Sequence, residues 1–241
     1  MESDVALKQT NVDDVVRQAA DDAAETLNEG DTRLGFLKKA GLAGGAVVGS
    51  GALIGALTPA GALAKGGKGR PSASFGKGDV GILNFALTLE YLEAAFYNEA
   101  TANQKKSKFI KDGQTQVFLK TVAVDENAHV AFLKKALGSK ATNAPKVDFG
   151  STTSNAASFI KTAVALENTG VHAYSGQALN IASPAYVAAA LSILTIEARH
   201  ASVAGLLLTG KPSGLTPDGA FDTPFTAAEV LSAVKKTGFL Q

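Results

Sequence analysis

Apolar residues recur every three or four positions along four long segments of the chain, which is the spacing of a helix that buries one face. The segments are 79–100, 112–137, 154–179 and 183–210. No stretch alternates convincingly between apolar and polar residues, as a strand with one exposed face would. The pattern therefore predicts an all-α fold in which the four segments form a four-helix bundle.

Residues at the ends of these segments are of the types that begin and end helices. Asp79 is a candidate N-cap for the first segment, and Gly138 follows the second. Ser183 and Pro184 suit the N-cap and the first helical position of the fourth segment. The stretch 226–229 begins with threonine and ends with glutamate, which is the spacing of a capping box. It predicts a short fifth helix near the C-terminus.

The lengths of the connections indicate how the helices are joined. About eleven residues separate the first two segments, about four separate the last two, and about sixteen separate the middle pair. Sixteen extended residues can span ~50 Å, whereas a helix of 25 residues is ~37 Å long. The sequence therefore predicts a long crossover between helices 2 and 3, with antiparallel neighbours on either side of it.

The chain before the bundle divides into three parts by composition. Residues 1–31 form a polar, acidic extension, and residues 32–64 have the layout of an export signal or a membrane anchor. Residues 65–78 are rich in glycine and are expected to be a flexible linker. The bundle domain is then expected to span 79–241.

The uncharged stretch 40–64 carries the export prediction. It follows a basic flank and ends in the Ala-x-Ala form of a cleavage site, which predicts an exported protein (periplasmic, cell-surface or extracellular) cut near Ala64. A membrane anchor remains the alternative, because these 25 residues are enough to span ~30 Å of hydrocarbon. Residues 32–38 resemble a twin-arginine signal in which Leu34 replaces the second arginine.

Composition restricts the chemistry that the domain can carry. The chain has no cysteine, so disulfides, thiolate ligands and cysteine nucleophiles are excluded, and a transition-metal site must use His, Asp and Glu. Residues 65–241 hold 18 basic and 13 acidic residues, but aromatic residues do not alternate with the basic ones. This pattern indicates a solvated surface and no nucleic-acid partner.

Two of the three histidines follow a glutamate at the same spacing: Glu126 precedes His129, and Glu197 precedes His200. Residues three apart share a helix face, and each pair interrupts an otherwise apolar stripe. Burying such a polar pair is costly unless something compensates it. A metal ion would be an efficient compensation.

The first and third segments each place one glutamate within the apolar stripe, Glu90 and Glu167. These two glutamates are 77 residues apart, as are Tyr97 and Tyr174, whereas the two Glu-x-x-His motifs are 71 apart. The repeated offsets indicate a duplicated helix hairpin in which each half supplies Glu and then Glu-x-x-His.

This set of side chains matches two divalent ions in charge and in the ligand atoms that such ions prefer. Four carboxylates balance the positive charge of the two ions, two neutral imidazoles add ligands without charge, and oxygen with imidazole nitrogen suits iron or manganese. One Glu from each of two helices plus Glu-x-x-His from each of the other two is the arrangement of di-iron and di-manganese carboxylate bundles. The sequence predicts a centre of two Fe ions, or alternatively two Mn ions, bound by Glu90, Glu126, His129, Glu167, Glu197 and His200.

Three further side chains are candidates to support the ligands. Glu93 lies three residues after Glu90, where it could be an additional ligand, support the ligands from behind or face solvent. Tyr97 and Tyr174 each lie seven residues after a candidate glutamate. Each tyrosine is expected to hydrogen-bond a ligand or to pass electrons, or else to pack in the core.

Two polar residues near the motifs are expected to miss the ligand face. His172 lies about 140° around the helix from Glu167, which favours a supporting or surface position. Asp125 directly precedes the first Glu-x-x-His motif and is expected to point away from the bundle axis.

Four stretches of the chain resemble the ferritin-like superfamily: ILNFALTLEYLEAAFY, DENAHVAFL, ALENTGVHAY and IEARHA. More narrowly, they resemble the exported bacterial ferritin-like domains grouped with desiccation-related proteins, over about residues 79–209. The resemblance implies oxidoreductase chemistry with dioxygen or peroxide, as Fe(II) oxidation or Mn-dependent peroxide removal, with metal ions and a small oxidant as partners. The alternative is a non-catalytic stress or desiccation-related protein with a structural or vestigial metal site. Either protein could form a homo-oligomer.

Overall fold

A computed structural model describes residues 69–241 of the chain. The predicted acidic extension and export segment lie outside the described residues, as do the first four residues of the predicted linker. Their boundaries therefore stay predictions.

Four long helices and one short helix form the described part of the chain. In chain order they are α1 (Gly78–Ser107), α2 (Gly113–Leu137), α3 (Ala156–Gln177), α4 (Pro184–Thr209) and α5 (Ala227–Thr237). Between residues 69 and 241 the only β pairing is an isolated antiparallel bridge between Val147 and Leu240. The predicted all-α bundle with a long crossover and a short C-terminal helix is confirmed.

Several predicted helix ends are also found. The capping box at the start of α5 is complete, with the Thr226 side chain accepting from the Glu229 backbone and Glu229 accepting from the Thr226 backbone. Pro184 is the first residue of α4. Asp79 is not the N-cap of α1, because the helix already begins at Gly78. Its carboxylate accepts hydrogen bonds from the backbone amides of residues 182 and 183, at 2.8 and 2.9 Å, which joins the start of α1 to the start of α4.

The first helix is longer than its apolar pattern predicted. α1 continues for seven residues beyond Ala100, through a polar stretch, to Ser107. Gln104 explains where it ends, because its side chain donates to the Ile110 carbonyl at 2.9 Å and accepts from the Ile110 amide at 2.8 Å. The connection to α2 is therefore 108–112, shorter than the eleven residues predicted.

The bundle is built from two closely packed helix pairs, α1 with α2 and α3 with α4. The long connection between the pairs is hydrogen-bonded to the C-terminal residues of the chain. The Asp148 amide donates to the Phe239 carbonyl at 2.9 Å. Beside it, the rings of Phe96 and Phe159 stack with centroids 5.4 Å apart, and Tyr97 packs edge-on against Phe96. This aromatic cluster fills the core on one side of the polar residues that the sequence predicted to bind metal.

The described part of the predicted flexible linker packs on the bundle instead of standing free of it. The Gly69 carbonyl accepts from the Ala227 amide at 2.9 Å and from the Gln177 side chain at 2.8 Å. Phe75 packs edge-on against Phe85 with ring centroids 5.7 Å apart. These contacts could not be predicted from the glycine-rich composition, because composition does not show which backbone groups form hydrogen bonds with distant residues.

Among residues 69–241, α4 alone is long and apolar enough to cross a membrane by length and composition. The helix nevertheless buries Glu197 and His200 against the other helices and exposes Leu191 and Leu208. A core helix of a bundle passes the same test of length and composition.

Candidate metal centre

The four long helices bring all six predicted ligands to one place inside the bundle. Glu90 comes from α1 and Glu167 from α3, while α2 and α4 each supply a Glu-x-x-His pair. All four glutamates are fully buried, and the two histidines are 9% and 6% exposed. Burial of four carboxylates at one point is costly unless cations or hydrogen bonds compensate their charge.

The six side chains form two overlapping groups, each of which could hold a metal ion. One group has Glu90 and His129, the other has Glu167 and His200, and both include Glu126 and Glu197. In each group the candidate ligand atoms lie within 4.8 Å of one another. Two carboxylates are therefore placed to be shared, and each position has one further carboxylate and one imidazole of its own.

The two oxygens of Glu126 face different histidines. Oε2 lies 3.3 Å from Nδ1 of His129, and Oε1 lies 3.1 Å from Nδ1 of His200. Glu90 lies 3.2 Å from Nδ1 of His129, and Glu167 lies 3.2 Å from Nδ1 of His200. The two positions are thus related by the same duplication that the sequence offsets indicated.

Several ligand atoms are buried without a hydrogen-bond partner among the described residues. These atoms are Oε1 of Glu126, Oε2 of Glu167, both oxygens of Glu197 and Nδ1 of His200. The imidazole of His200 is close to Glu126, but the approach does not have the geometry of a hydrogen bond. Buried polar atoms are rarely left unpaired, and the unpaired atoms here all belong to the predicted ligand set apart from two, Thr101 Oγ1 and His172 Nδ1. The donor set fits a cation of the iron or manganese type.

Comparison with known families agrees with this geometry. A family model described as a ferritin-like domain matches residues 78–210, which is more than half of the chain. The chain belongs to the ferritin-like domain family. A search of curated protein sequences gave no match. Together, the family and the buried Glu and His cluster make the chain a ferritin-like protein with a site able to bind metal ions.

Two tyrosines of this ferritin-like protein hold the unshared carboxylates across the bundle. The hydroxyl of Tyr97 on α1 donates to Oε1 of Glu167 on α3, and the hydroxyl of Tyr174 on α3 donates to Oε1 of Glu90 on α1. Both tyrosines are buried. Each hydrogen bond leaves the other oxygen of its carboxylate to face the centre, which is how an outer hydrogen bond orients a ligand.

Asp125 contacts one of the predicted ligands from outside the cluster, which its position on the helix did not predict. Its Oδ2 lies 3.0 Å from Nε2 of His200, on the far side of the imidazole from the carboxylates. This contact presents Nδ1 of His200 to the cluster. At the equivalent position before the second motif the chain has Ile196, so the support of the two histidines is not symmetric.

Glu93 adds a fifth buried glutamate to the four of the predicted ligand set. It is 3% exposed, and Gly170 is its equivalent in the second half of the chain, 77 residues on. A Cβ at Gly170 would lie 2.9 Å from Oε2 of Glu197 and 3.4 Å from Oε1 of Glu93. Gly170 therefore leaves the space in which Glu93 and Glu197 approach each other. The Glu93 side chain does not face solvent, and it lies next to the ligands.

His172 is buried, but its described contacts do not reach the ligands. Its ring stacks on Phe225 with centroids 4.3 Å apart, and its Nε2 lies 3.7 Å from Asp218. It therefore packs α3 against the segment before α5. His172 is absent from the two groups of candidate ligands, as expected, but it is buried and not on the surface, because a segment that helical periodicity could not predict covers it.

The charges of the cluster change the protonation of its members. Burial, reinforced by the charges of Glu126 and Glu90, raises the pKa of Glu197 well above its usual range. Burial also raises the pKa of Glu126 to about 7, although His129 and His200 oppose the rise. Burial alone would lower the pKa of His200, but Asp125, Glu126 and Glu167 raise it to about 12. The ligand set by itself therefore holds protons that an incoming cation would displace.

Proposed function

We propose that this ferritin-like protein is a dinuclear metal-carboxylate oxidoreductase that reacts with dioxygen or peroxide. The observation that supports it best is the set of buried, unpaired ligand atoms shared among Glu126, Glu167, Glu197 and His200. An apolar core residue at any of these positions would avoid the cost of burying charge. Two bound cations would compensate the charge of the four carboxylates and give these buried carboxylates and imidazoles a function.

The six ligands would hold two ions, and Glu126 and Glu197 belong to both groups of candidate ligands. Two iron ions are the first choice and two manganese ions the alternative, since both metals accept this mixture of oxygen and nitrogen ligands. When bound, a pair of ferrous ions would supply the two electrons that, together with two protons, reduce dioxygen to hydrogen peroxide. Manganese-dependent peroxide removal would instead convert two molecules of hydrogen peroxide into dioxygen and two of water.

The protein's own side chains would keep the ligands in place during such a reaction. Tyr97 and Tyr174 fix Glu167 and Glu90 from opposite sides of the bundle. Asp125 holds the imidazole of His200. The surrounding helices keep bulk water from the cluster, which strengthens every electrostatic interaction inside it.

Stopped-flow absorbance tests the iron version directly. The Fe(II)-loaded protein is mixed with dioxygen while oxygen consumption is followed. A ferric absorbance band and consumption above that of buffer are expected, and both should be lost in Glu126→Ala, Glu197→Ala. Absence of both signals in the loaded wild-type protein rejects iron oxidation. Oxygen release from peroxide by the manganese-loaded protein would favour the manganese version.

The second candidate function is a non-catalytic one, in which metal only staples the bundle or the ligands are vestigial in a stress or desiccation-related protein. It is favoured by the fact that each of the four long helices supplies at least one ligand, so that bound metal would cross-link all of them. This version predicts that metal raises the melting temperature without any oxidation chemistry. Replacing all six ligands would then leave protection of other proteins during drying unchanged.

We also propose export of the chain, with cleavage near Ala64 or retention as a membrane anchor. The uncharged segment and its basic flank support the proposal. Mass spectrometry of the exported chain distinguishes a cut near Ala64 from an intact anchor. Loss of export in Arg33→Lys would favour the twin-arginine route despite Leu34.

A further inference from the structure

An apolar cavity of about 30 Å³ lies next to the metal cluster, where all four long helices meet. Its inner wall includes Leu89 and Tyr174, which are buried, and its outer wall includes Ala86, Ala190 and Tyr186, which are half-buried. A cavity of this size has room for a diatomic molecule. It thus extends from near the surface to side chains that touch the cluster.

Some residues that line the cavity are close neighbours of the ligands along the chain. Leu89 precedes Glu90, and Ile193, one turn before Glu197, also lines the cavity. Tyr174 also lines the cavity, and its hydroxyl donates a hydrogen bond to Glu90. A molecule in the cavity would be separated from the cluster by only one layer of side chains on the Glu90 side.

Two of the three polar side chains in the wall already have hydrogen-bond partners, and the third is the half-buried Tyr186 on the outer wall. The Tyr174 hydroxyl donates to Glu90, and the Gln177 side chain donates to the Gly69 carbonyl and accepts from Asn180. Hydrogen peroxide has two O–H groups that would find few acceptors there apart from the Tyr186 hydroxyl, and an O–H group buried without a partner is costly. Dioxygen has no hydrogen-bond donor, so the cavity suits dioxygen and disfavours peroxide.

We propose that this cavity is the entry site for dioxygen, which makes dioxygen the oxidant of the centre; the inference rests on the proposed oxidoreductase function. A second approach exists on the other side of the cluster, in a groove between α2 and α4 that ends at Asp125, Arg199 and His200. That groove has polar groups at its end. Peroxide therefore has a separate route that changes in the apolar cavity do not affect.

Filling the cavity tests the proposal. Ala190→Leu places three additional carbons against the cavity wall, and Ala86→Val is a milder second variant in case the first does not fold. Ala185→Leu adds the same bulk on α4 at an exposed position and is the matched control. Because the filled variants narrow the apolar cavity and the groove between α2 and α4 has polar groups at its end, we expect these variants to react at least about fivefold more slowly with dioxygen. Their reaction with hydrogen peroxide and their metal content should stay at the wild-type level, as should all properties of the control.

Xenon binding gives a readout that does not depend on catalysis. Xenon enters dry apolar cavities, so we expect ¹²⁹Xe chemical-shift changes in the metal-free wild type and in Ala185→Leu, and their loss in Ala190→Leu. Oxidation by dioxygen that is unchanged in filled variants overturns the entry role, as does a cavity that takes up no xenon. Failure of the metal-loaded wild type to react with either oxidant would instead contradict the proposed function, and xenon binding would still report on the cavity.

Discussion

The hydroxyl of Tyr97 on α1 is hydrogen-bonded to Glu167 on α3, and the duplicated half of the chain repeats the contact in reverse, from Tyr174 to Glu90. Each half of the molecule thus holds a candidate ligand of the other half. We expect Tyr97→Phe and Tyr174→Phe each to lower metal affinity by about 10–100-fold, as loss of an outer hydrogen bond to a ligand typically does.

Calorimetric titration with Mn(II) measures this effect without oxidation of the metal. Tyr91→Phe is the matched control, because the Tyr91 hydroxyl makes a long hydrogen bond, 3.4 Å, to the Thr142 carbonyl and none to a ligand. Affinity that is equal in all three variants and the wild type would contradict a supporting role for the two buried tyrosines.

The contact between Asp125 and His200 predicts that the two metal positions differ. His200 has a carboxylate behind it, whereas Ile196 stands at the equivalent position for His129. In Asp125→Asn we expect one of two binding steps to weaken by about 10–100-fold, while the other stays within about threefold. Asp222→Asn, at an exposed position, serves as the control. Equal weakening of both steps in the titration would rule out a role confined to His200.

Gly170 is expected to tolerate no side chain. In Gly170→Ala the new Cβ would lie 2.9 Å from Oε2 of Glu197, too close without movement of that carboxylate. We expect reduced metal content and a loss of stability of about 1–3 kcal/mol, in the range of overpacked cores. Gly113→Ala is the control, since its Cβ would meet nothing within 4 Å. Urea unfolding and elemental analysis measure both effects, and wild-type values for Gly170→Ala would refute the close approach.

The metal-free protein is expected to lose stability as the pH rises from about 5 to about 8. The folded-state pKa of Glu126 is about 7, above its usual 4.5, so its protonated form stabilises the fold below pH 4.5 and this contribution is lost as the pH rises through about 7. The raised pKa values of Glu197 and His200 act in the same direction. The loss from Glu126 alone is at most about 3 kcal/mol.

Urea unfolding in the presence of a chelator, at pH 5 and pH 8, measures this dependence. Added Mn(II) should reduce it, because the cation replaces the protons and binds only the folded ligand set. Glu126→Gln should show a smaller pH dependence than the wild type. A metal-free protein that becomes more stable between pH 5 and pH 8 would show that the cluster does not retain protons.

Periodicity was sufficient for the fold and for bringing the ligands to one face, because Glu90 and the Glu-x-x-His motifs interrupt apolar stripes whose burial fixes each helix's orientation. It did not reveal where α1 ends, since the turn before Ser107 is held by Gln104 and not by an apolar face. The contact of Asp125 with a ligand was missed for a related reason. Its side chain reaches His200 on another helix, and that contact depends on how α2 and α4 are rotated against each other.

Gly170 was missed because a glycine leaves no signal in a pattern of apolar and polar residues. The duplication could have revealed it, since the offset of 77 that joins Glu90 to Glu167 also joins Glu93 to Gly170. At these equivalent positions one half of the duplicated domain has a large polar side chain and the other half has none. Such a pair is typical of a site where the side chain of one half fills space that the other half leaves free.

We infer that the two Glu-x-x-His motifs are halves of one metal site. Elemental analysis of the purified protein after Fe(II) or Mn(II) loading tests it most directly, beside Glu126→Ala, Glu197→Ala and with circular dichroism to show that both proteins fold. We expect about two ions per chain in the wild type and their loss in the variant that lacks the shared carboxylates. A well-folded wild type that takes up neither metal would contradict the claim.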